Sequence, residues 1–247
     1  MIAPLIVLAG LVGVWELVVD GGVVDPLLLP APHAVAASLW DDRSVLLPDL
    51  ATTTWEVLLG LAASLVLGIA LAVAMHLRRP VDRALRPLVI GSQAVPIVVI
   101  APLIVLVLGF GLAPKVLIVA LVCFFPVTIN VYDGLRDTDP DARKLLRALD
   151  ATPWQSLKLL EGPSALPAAF TGAKVAAAVA VVGAVFGEWS GSDSGLGHLI
   201  VNASSELNSA VQFSATVLLI AEAVLLYAAF AALERRVVSW TPRATAR

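Results

Sequence analysis

The chain has 247 residues, 59% of them hydrophobic and 14% charged, with a formal net charge of −3 and a mean hydropathy of +0.93. A water-soluble domain is about 45–50% apolar and about 25% charged, so a single water-soluble core is excluded. The one cysteine, Cys123, excludes an intrachain disulfide and a CxxC site. His33, His76 and His198 are too far apart in sequence for metal-ligand spacing and read as loop or interface residues.

The apolar residues fall in blocks near the roughly 20 residues that cross the hydrocarbon of a bilayer. Six spans are predicted, at Ile2–Val19, Trp55–Met75, Leu88–Leu108, Leu112–Tyr132, Leu166–Trp189 and Phe213–Leu233. The first is read as an uncleaved helix rather than a signal peptide, because no Lys or Arg precedes it and Glu16 lies inside it. The external segments are then Asp20–Thr54, Gly109–Gly111 and Ser190–Gln212. The expected fold class is all-α, a polytopic membrane protein with about six transmembrane helices. Its expected divisions are 1–34 (first helix and external lead-in), a core over 35–240, and a short tail over 241–247.

Lys and Arg set the orientation of such a chain. Arg78, Arg79, Arg83 and Arg86 lie between the second and third spans. Arg136, Arg143, Lys144, Arg147 and Lys158 lie between the fourth and fifth, and Arg235, Arg236, Arg243 and Arg247 follow the last. Of the 16 basic residues, only Arg43, Lys115 and Lys174 lie elsewhere. This alternation predicts that both termini are cytoplasmic.

The longest internal loop, Asp133–Ala165, carries the most information. Pro140, flanked by Asp139 and Asp141, suits a helix start. Leu145, Leu146, Leu149 and Leu157 offer apolar faces, and Arg143, Lys144 and Arg147 a polar side. Asp150-Ala151-Thr152-Pro153 breaks this helix, and a second begins near Pro153. From chemistry alone the segment is equally an amphipathic helix lying on anionic lipid.

With Gly162-Pro-Ser-Ala-Leu-Pro167 and Thr171-Gly172 after it, this loop resembles the cytoplasmic coupling motif of ATP-binding-cassette importer permeases. That motif reads Glu-Ala-Ala, three residues, Gly, and later an apolar-Pro-x-x-Leu-Pro. Lys144 falls at the Glu position, Leu145-Leu146 at the Ala pair, Asp150 at the Gly position, and Pro163 and Pro167 at the two prolines. Lys144 reverses a charge. Asp150 replaces a glycine that permits positive φ, a geometry Asp tolerates better than most residues. Leu29-Pro-Ala-Pro32, Cys123-Phe-Phe-Pro126, Asp133-Gly-Leu135, Gly187-Glu-Trp189 and Gly195-Leu-Gly197 are similar to one branch of these permeases. That branch carries sulfonates, taurine, nitrate and thiamine-precursor pyrimidines, and the likeness is greatest to the pyrimidine permeases.

The resemblance implies a type I importer permease in the bacterial inner membrane, with no cofactor and no nucleic-acid partner. The implied partners are a pair of ATPase subunits, a periplasmic or lipid-anchored substrate-binding protein, and a second permease copy. Coupling to the ATPase is expected at Lys144, Leu145, Leu146, Leu149, Asp150, Ala151, Thr152 and Pro153. A riboflavin-like solute is an alternative substrate, and a proton-driven secondary transporter working through Glu188 or Glu222 is an alternative mechanism. A membrane-embedded enzyme using Glu188, Glu222 and His198 is a third reading, but no phosphate loop or hydrolase signature occurs.

Two stripes of small residues, Gly60/Ser64/Gly68/Ala72 and Gly172/Ala176/Ala180/Ala184, allow close helix approach. They suit packing within the chain, a dimer interface or a pore wall. Polar groups at membrane depth face an interior or water. Ser92, Gln93, Thr128, Asn130, Glu188 and Trp189 are the candidates for a translocation path, with Glu188 and Trp189 at its outer mouth. Pro96 and Pro126 are expected to free backbone carbonyls within their spans.

Overall fold

The computed structural model describes residues 2–240, with side chains from Ile6 onward except that of Leu8; the expected tail at 241–247 lies outside the described residues. The described residues form helices α1 (Ile2–Asp20), α2 (Pro32–Asp41), α3 (Arg43–Leu77), α4 (Arg79–Gly91), α5 (Ile97–Leu108), α6 (Leu112–Arg136), α7 (Pro140–Ala148), α8 (Pro153–Ser156), α9 (Gly162–Trp189), α10 (Leu196–Ser205) and α11 (Ser209–Val237). A 3₁₀ turn at Ser92–Ala94 follows α4, and a π turn at Leu157–Glu161 joins α8 to α9.

Four continuous helices are long and apolar enough to cross a membrane: Arg43–Leu77, Leu112–Arg136, Pro153–Trp189 and Ser209–Val237. The 19 residues of α1 reach about 28 Å at 1.5 Å per residue. The expected third span is not a straight helix. Arg79–Ala94 and Ile97–Leu108 meet at 103° and make at most one broken span. The break has a local cause. Pro96 has no N–H to donate, and it drives the preceding Val95 into extended backbone (ψ 117). Pro96 therefore caps α5 instead of kinking a continuous rod. Pro126, in contrast, lies inside an unbroken α6.

α6 is the central post of the bundle, packed between α3 and α9. Small residues permit this. A β-carbon on Gly68 would lie 2.8 Å from Val127 Cγ1, and one on Gly172 would lie 2.7 Å from the Pro126 carbonyl oxygen. Both stripes read from the sequence are thus engaged within the chain, on two sides of α6, and neither is left as a free face. The resulting core runs through Leu61, Val119, Cys123, Val127, Ala176, Ala180 and Ala184. By contrast α11 keeps Ile220, Val224 and Leu225 exposed, as a helix facing lipid does.

α3 starts about three turns before the predicted span, because Arg43–Thr54 continues the helix with polar residues outside the apolar window. α2 and α10 are short helices within segments read as external loops. At the opposite end Lys174 pairs with Glu234 at 2.8 Å, tying α9 to α11.

Candidate functional site

Three regions contain the residues singled out from the sequence. The first is the loop resembling the coupling motif. Asp139 caps α7, its carboxylate accepting from Asp141 N at 2.9 Å. α7 ends at Ala148, and Asp150 adopts φ 56. That is the left-handed backbone a glycine would supply at this position, and it turns the chain after α7. Thr152 then caps α8 in a reciprocal box with Gln155: Thr152 N donates to Gln155 Oε1 at 2.7 Å, and Gln155 N donates to Thr152 Oγ1 at 3.3 Å. Pro153 takes the first helical position, where its missing N–H is harmless.

This helix–turn–helix exposes Leu145, Leu149, Trp154 and Leu159 at between 62% and 69% of their surfaces. Lys144 is solvent-exposed and pairs with Asp141 at 2.8 Å. The loop is anchored to the bundle by a cluster invisible to local sequence reading. Glu161, buried on the π turn, pairs with His76 of α3 at 2.7 Å and Arg143 of α7 at 2.6 Å. Arg143 also donates to Leu135 O at 3.0 Å. His76 and Glu161 are 85 residues apart, so no spacing rule could have paired them.

The second region is a cavity of about 490 Å³ beside the break between α4 and α5. It brings Ser92, Gln93 and Asn130 together with Phe125, Val95 and Val179. Asn130 Nδ2 donates to Pro126 O at 2.7 Å, leaving its amide oxygen toward other partners. Thr128, one of the neutral residues expected beside them, does not line this space. It is fully buried, and its hydroxyl donates to Phe124 O on its own helix at 2.7 Å.

The third region lies at the far end of α9. Glu188 is 1% exposed and serves the start of α10. Its carboxylate accepts from Thr53 Oγ1 at 2.7 Å and from the backbone N–H groups of Gly197 and His198. Asp49 accepts from Gly195 N at 2.8 Å, and Thr53 Oγ1 from Leu196 N at 2.9 Å. A helix start leaves several N–H groups without partners and carries partial positive charge; here three side chains take them all. Trp189 is half exposed, donates to Gly197 O at 3.0 Å and meets Phe186 edge to face. Glu188 therefore holds α10, and it is not among the residues around the 490 Å³ cavity.

Deeper in the same end, Lys115 Nζ pairs with Glu56 at 2.6 Å and donates to Ser192 Oγ at 2.6 Å. Glu222 is buried with both carboxylate oxygens unpartnered among the described residues. Glu16, Asp20 and His33 bring potential metal-ligand atoms within 4.8 Å of one another. The hydrogen bond that the His33 ring donates to the Glu16 carboxylate raises the pKa of His33, which strengthens the hold of a proton on the ring nitrogen a metal would need.

An all-helical bundle with a capped, outward-facing helix–turn–helix at its basic end, and a largely apolar cavity carrying a few polar side chains beside a broken helix, has the form of a transport permease. The sequence profile of the binding-protein-dependent transport system inner membrane component family matches residues 64–239. The chain belongs to that family. It is a permease subunit of an importer for small solutes, a transport component rather than an enzyme, and a multi-pass membrane protein.

Two relatives mark its neighbourhood. A probable ABC transporter permease protein of Haemophilus influenzae is 33% identical over 227 residues, 92% of this chain and 93% of the relative. The formylaminopyrimidine transport permease protein ThiX of Halalkalibacterium halodurans is 33% identical over 216 residues, 87% of this chain and 86% of the relative. Among solved structures, an inward-facing form of the MetNI methionine ABC transporter superposes with a TM-score of 0.69 at 19% identity, covering 80% of this chain and 98% of that one. This likeness establishes the type I permease fold.

Proposed function

We propose that two copies of this chain pair around a central path and import a small polar solute of the pyrimidine class, driven by ATP hydrolysis on a separate pair of subunits. A periplasmic or lipid-anchored binding protein delivers the solute. The basic loops, and with them both termini, face the cytoplasm.

The observation that carries this reading is the row Leu145, Leu149, Trp154 and Leu159, presented to solvent on a rigidly capped turn. Exposed apolar side chains gathered on a polar, basic segment mark a protein contact surface. The Lys144–Pro153 segment is the surface on which the ATPase docks. Closure of the ATPase pair displaces α8, and the unbroken run from Pro153 to Trp189 carries that displacement into α9.

Ser92, Gln93 and Asn130 line the path, where side-chain amides match the donors and acceptors of an aminopyrimidine and Phe125 supplies an aromatic face. Glu188 and Trp189 hold α10 in place beside its outer end. The formylaminopyrimidine relative supports this solute class over a sulfonate, taurine, nitrate or riboflavin-like one.

The test is co-purification of the chain with its ATPase, combined with uptake into proteoliposomes. Ala151→Glu is expected to abolish both while membrane insertion is retained. Unchanged ATPase capture by Ala151→Glu would reduce the segment to a lipid-facing helix. Uptake that persists without the ATPase, and collapses with the proton gradient, would favour the secondary transporter.

A further inference from the structure

A second cavity, about 620 Å³, opens at the basic end of the bundle between the end of α3, α4, the end of α6 and the α7–α8 turn. Five arginines line it. Arg79 and Arg83 come from α4, Arg136 from α6, and Arg143 and Arg147 from α7. Only two carboxylates, Asp82 and Glu161, share the space.

Both carboxylates are already engaged. Asp82 accepts two hydrogen bonds from Arg86, at 2.9 and 2.8 Å. Glu161 is divided between His76 and Arg143. Arg136 is positioned by the Tyr132 hydroxyl at 2.9 Å, with its guanidinium 5.6 Å from the centre of that ring. Among the described residues, Arg79, Arg83 and Arg147 form no ion pair.

Guanidinium groups converging from three helices repel one another, and a concave wall concentrates their field on whatever occupies the centre. Their planar forks match the oxygens of a phosphate, two at a time. Met75 and Leu77, from the last turn of the spanning α3, form one wall, so the charges sit where the bundle passes from apolar to polar surroundings.

We propose that this cavity binds a phosphate-type anion, with Arg79, Arg83 and Arg147 as its free ligands. The same chemistry is offered by the headgroup phosphate of an anionic lipid and by free inorganic phosphate. This site is distinct from the solute path, and binding there is read on the full permease chain without the ATPase.

Two probes separate the sources. The chain is released from nanodiscs of equal phosphatidylglycerol and phosphatidylcholine and its retained lipid identified by native mass spectrometry. The delipidated chain is dialysed to equilibrium against labelled inorganic phosphate. Retention of phosphatidylglycerol over phosphatidylcholine, falling at least tenfold in Arg83→Gln/Arg147→Gln as the loss of two charge-assisted contacts implies, assigns a lipid headgroup. Saturable phosphate binding lost in the same variant assigns the free anion. If wild type and variant bind both probes alike, the proposal is overturned. Should the variant not fold, the wild-type chain decides: no lipid preference together with no saturable phosphate binding overturns the site.

Discussion

Lys115 and Glu56 form a 2.6 Å ion pair inside the bundle, with 7% and 1% of their side chains exposed. Lys115 stands in the first turn of α6 and Glu56 more than three turns into α3, and Ser192 takes a second proton of the ammonium. Removing one partner of such a pair strands the other charge in an apolar setting, a loss of about 3–5 kcal/mol. Glu56→Gln is expected to lower the thermal midpoint in detergent markedly, and Glu56→Leu/Lys115→Met to recover most of it. If both variants unfold at the same temperature, the pair is not the source of the stability.

α9 packs tightly against α6 at Gly172. A side chain there meets the Pro126 carbonyl and Asn130, both backbone or short groups that cannot swing away. Gly172→Leu should cost upward of the 1–3 kcal/mol typical of overpacking and reduce the yield of folded chain. Gly13→Leu, where the added atom meets nothing within 4 Å, is the matched control and should leave yield unchanged. Equal yields would mean the helices separate without penalty.

Asp150 occupies backbone with φ 56, a region that costs a non-glycine residue roughly 1–2 kcal/mol. Asp150→Gly is expected to preserve or slightly raise stability and keep ATPase capture. Asp150→Val, β-branched and ill suited to positive φ, should loosen the α7–α8 turn and weaken capture. Capture that is the same in both variants would show that the turn geometry is irrelevant to docking.

Orientation is checked by thiol labelling. Cys123 is fully buried and is replaced first. Cysteines are then introduced at Ser204 and Arg79, both exposed and at opposite ends of the bundle. An impermeant reagent applied to intact cells should label the Ser204 site alone. Labelling at the Arg79 site would invert the orientation drawn from the basic loops.

Glu188→Gln keeps the shape of the carboxylate but presents an amide N–H toward either Thr53 or the Gly197 N–H, and so breaks one of the bonds that seat α10. Protection of the α10 amides in hydrogen exchange should fall, while Trp189→Phe, which loses only the bond to Gly197 O, should have a smaller effect. If uptake falls with α10 protection unchanged, Glu188 acts on the solute directly.

The apolar blocks, the helix start at Pro140 and the break at Asp150–Pro153 were legible in the sequence because each is encoded within a few residues. The positive φ at Asp150 was legible through the glycine it replaces in the resembled motif. What escaped was of two kinds. The polar extension Arg43–Thr54 of α3 and the short helices α2 and α10 have no apolar block to announce them, since tertiary contacts rather than hydropathy make them helical. The partnerships Glu56–Lys115 and His76–Glu161 join residues 59 and 85 positions apart, and only the packed bundle brings them together. For the same reason the hydrogen bonds of Glu188 with Thr53 and with the start of α10 could not be read from the small-residue face on which it lies.

The π turn at Leu157–Glu161 fixes an angle as well as a distance. Such a turn carries one residue more than the α-helical turn it replaces, and each α-helical residue rotates the chain by about 100°. Deleting one residue between Leu157 and Glu161 would leave the hydropathy and charge pattern of the span almost untouched. It would let the turn close as ordinary α-helix, and Trp154 and the α7–α8 turn would keep their bearing about the axis of α9, because the π turn absorbs the extra residue within its own circumference. The segment is thus a rotational buffer: it admits an additional residue without the turn of about 100° that the same insertion would impose on a continuing α-helix, and the exposed apolar row keeps its bearing relative to the bundle.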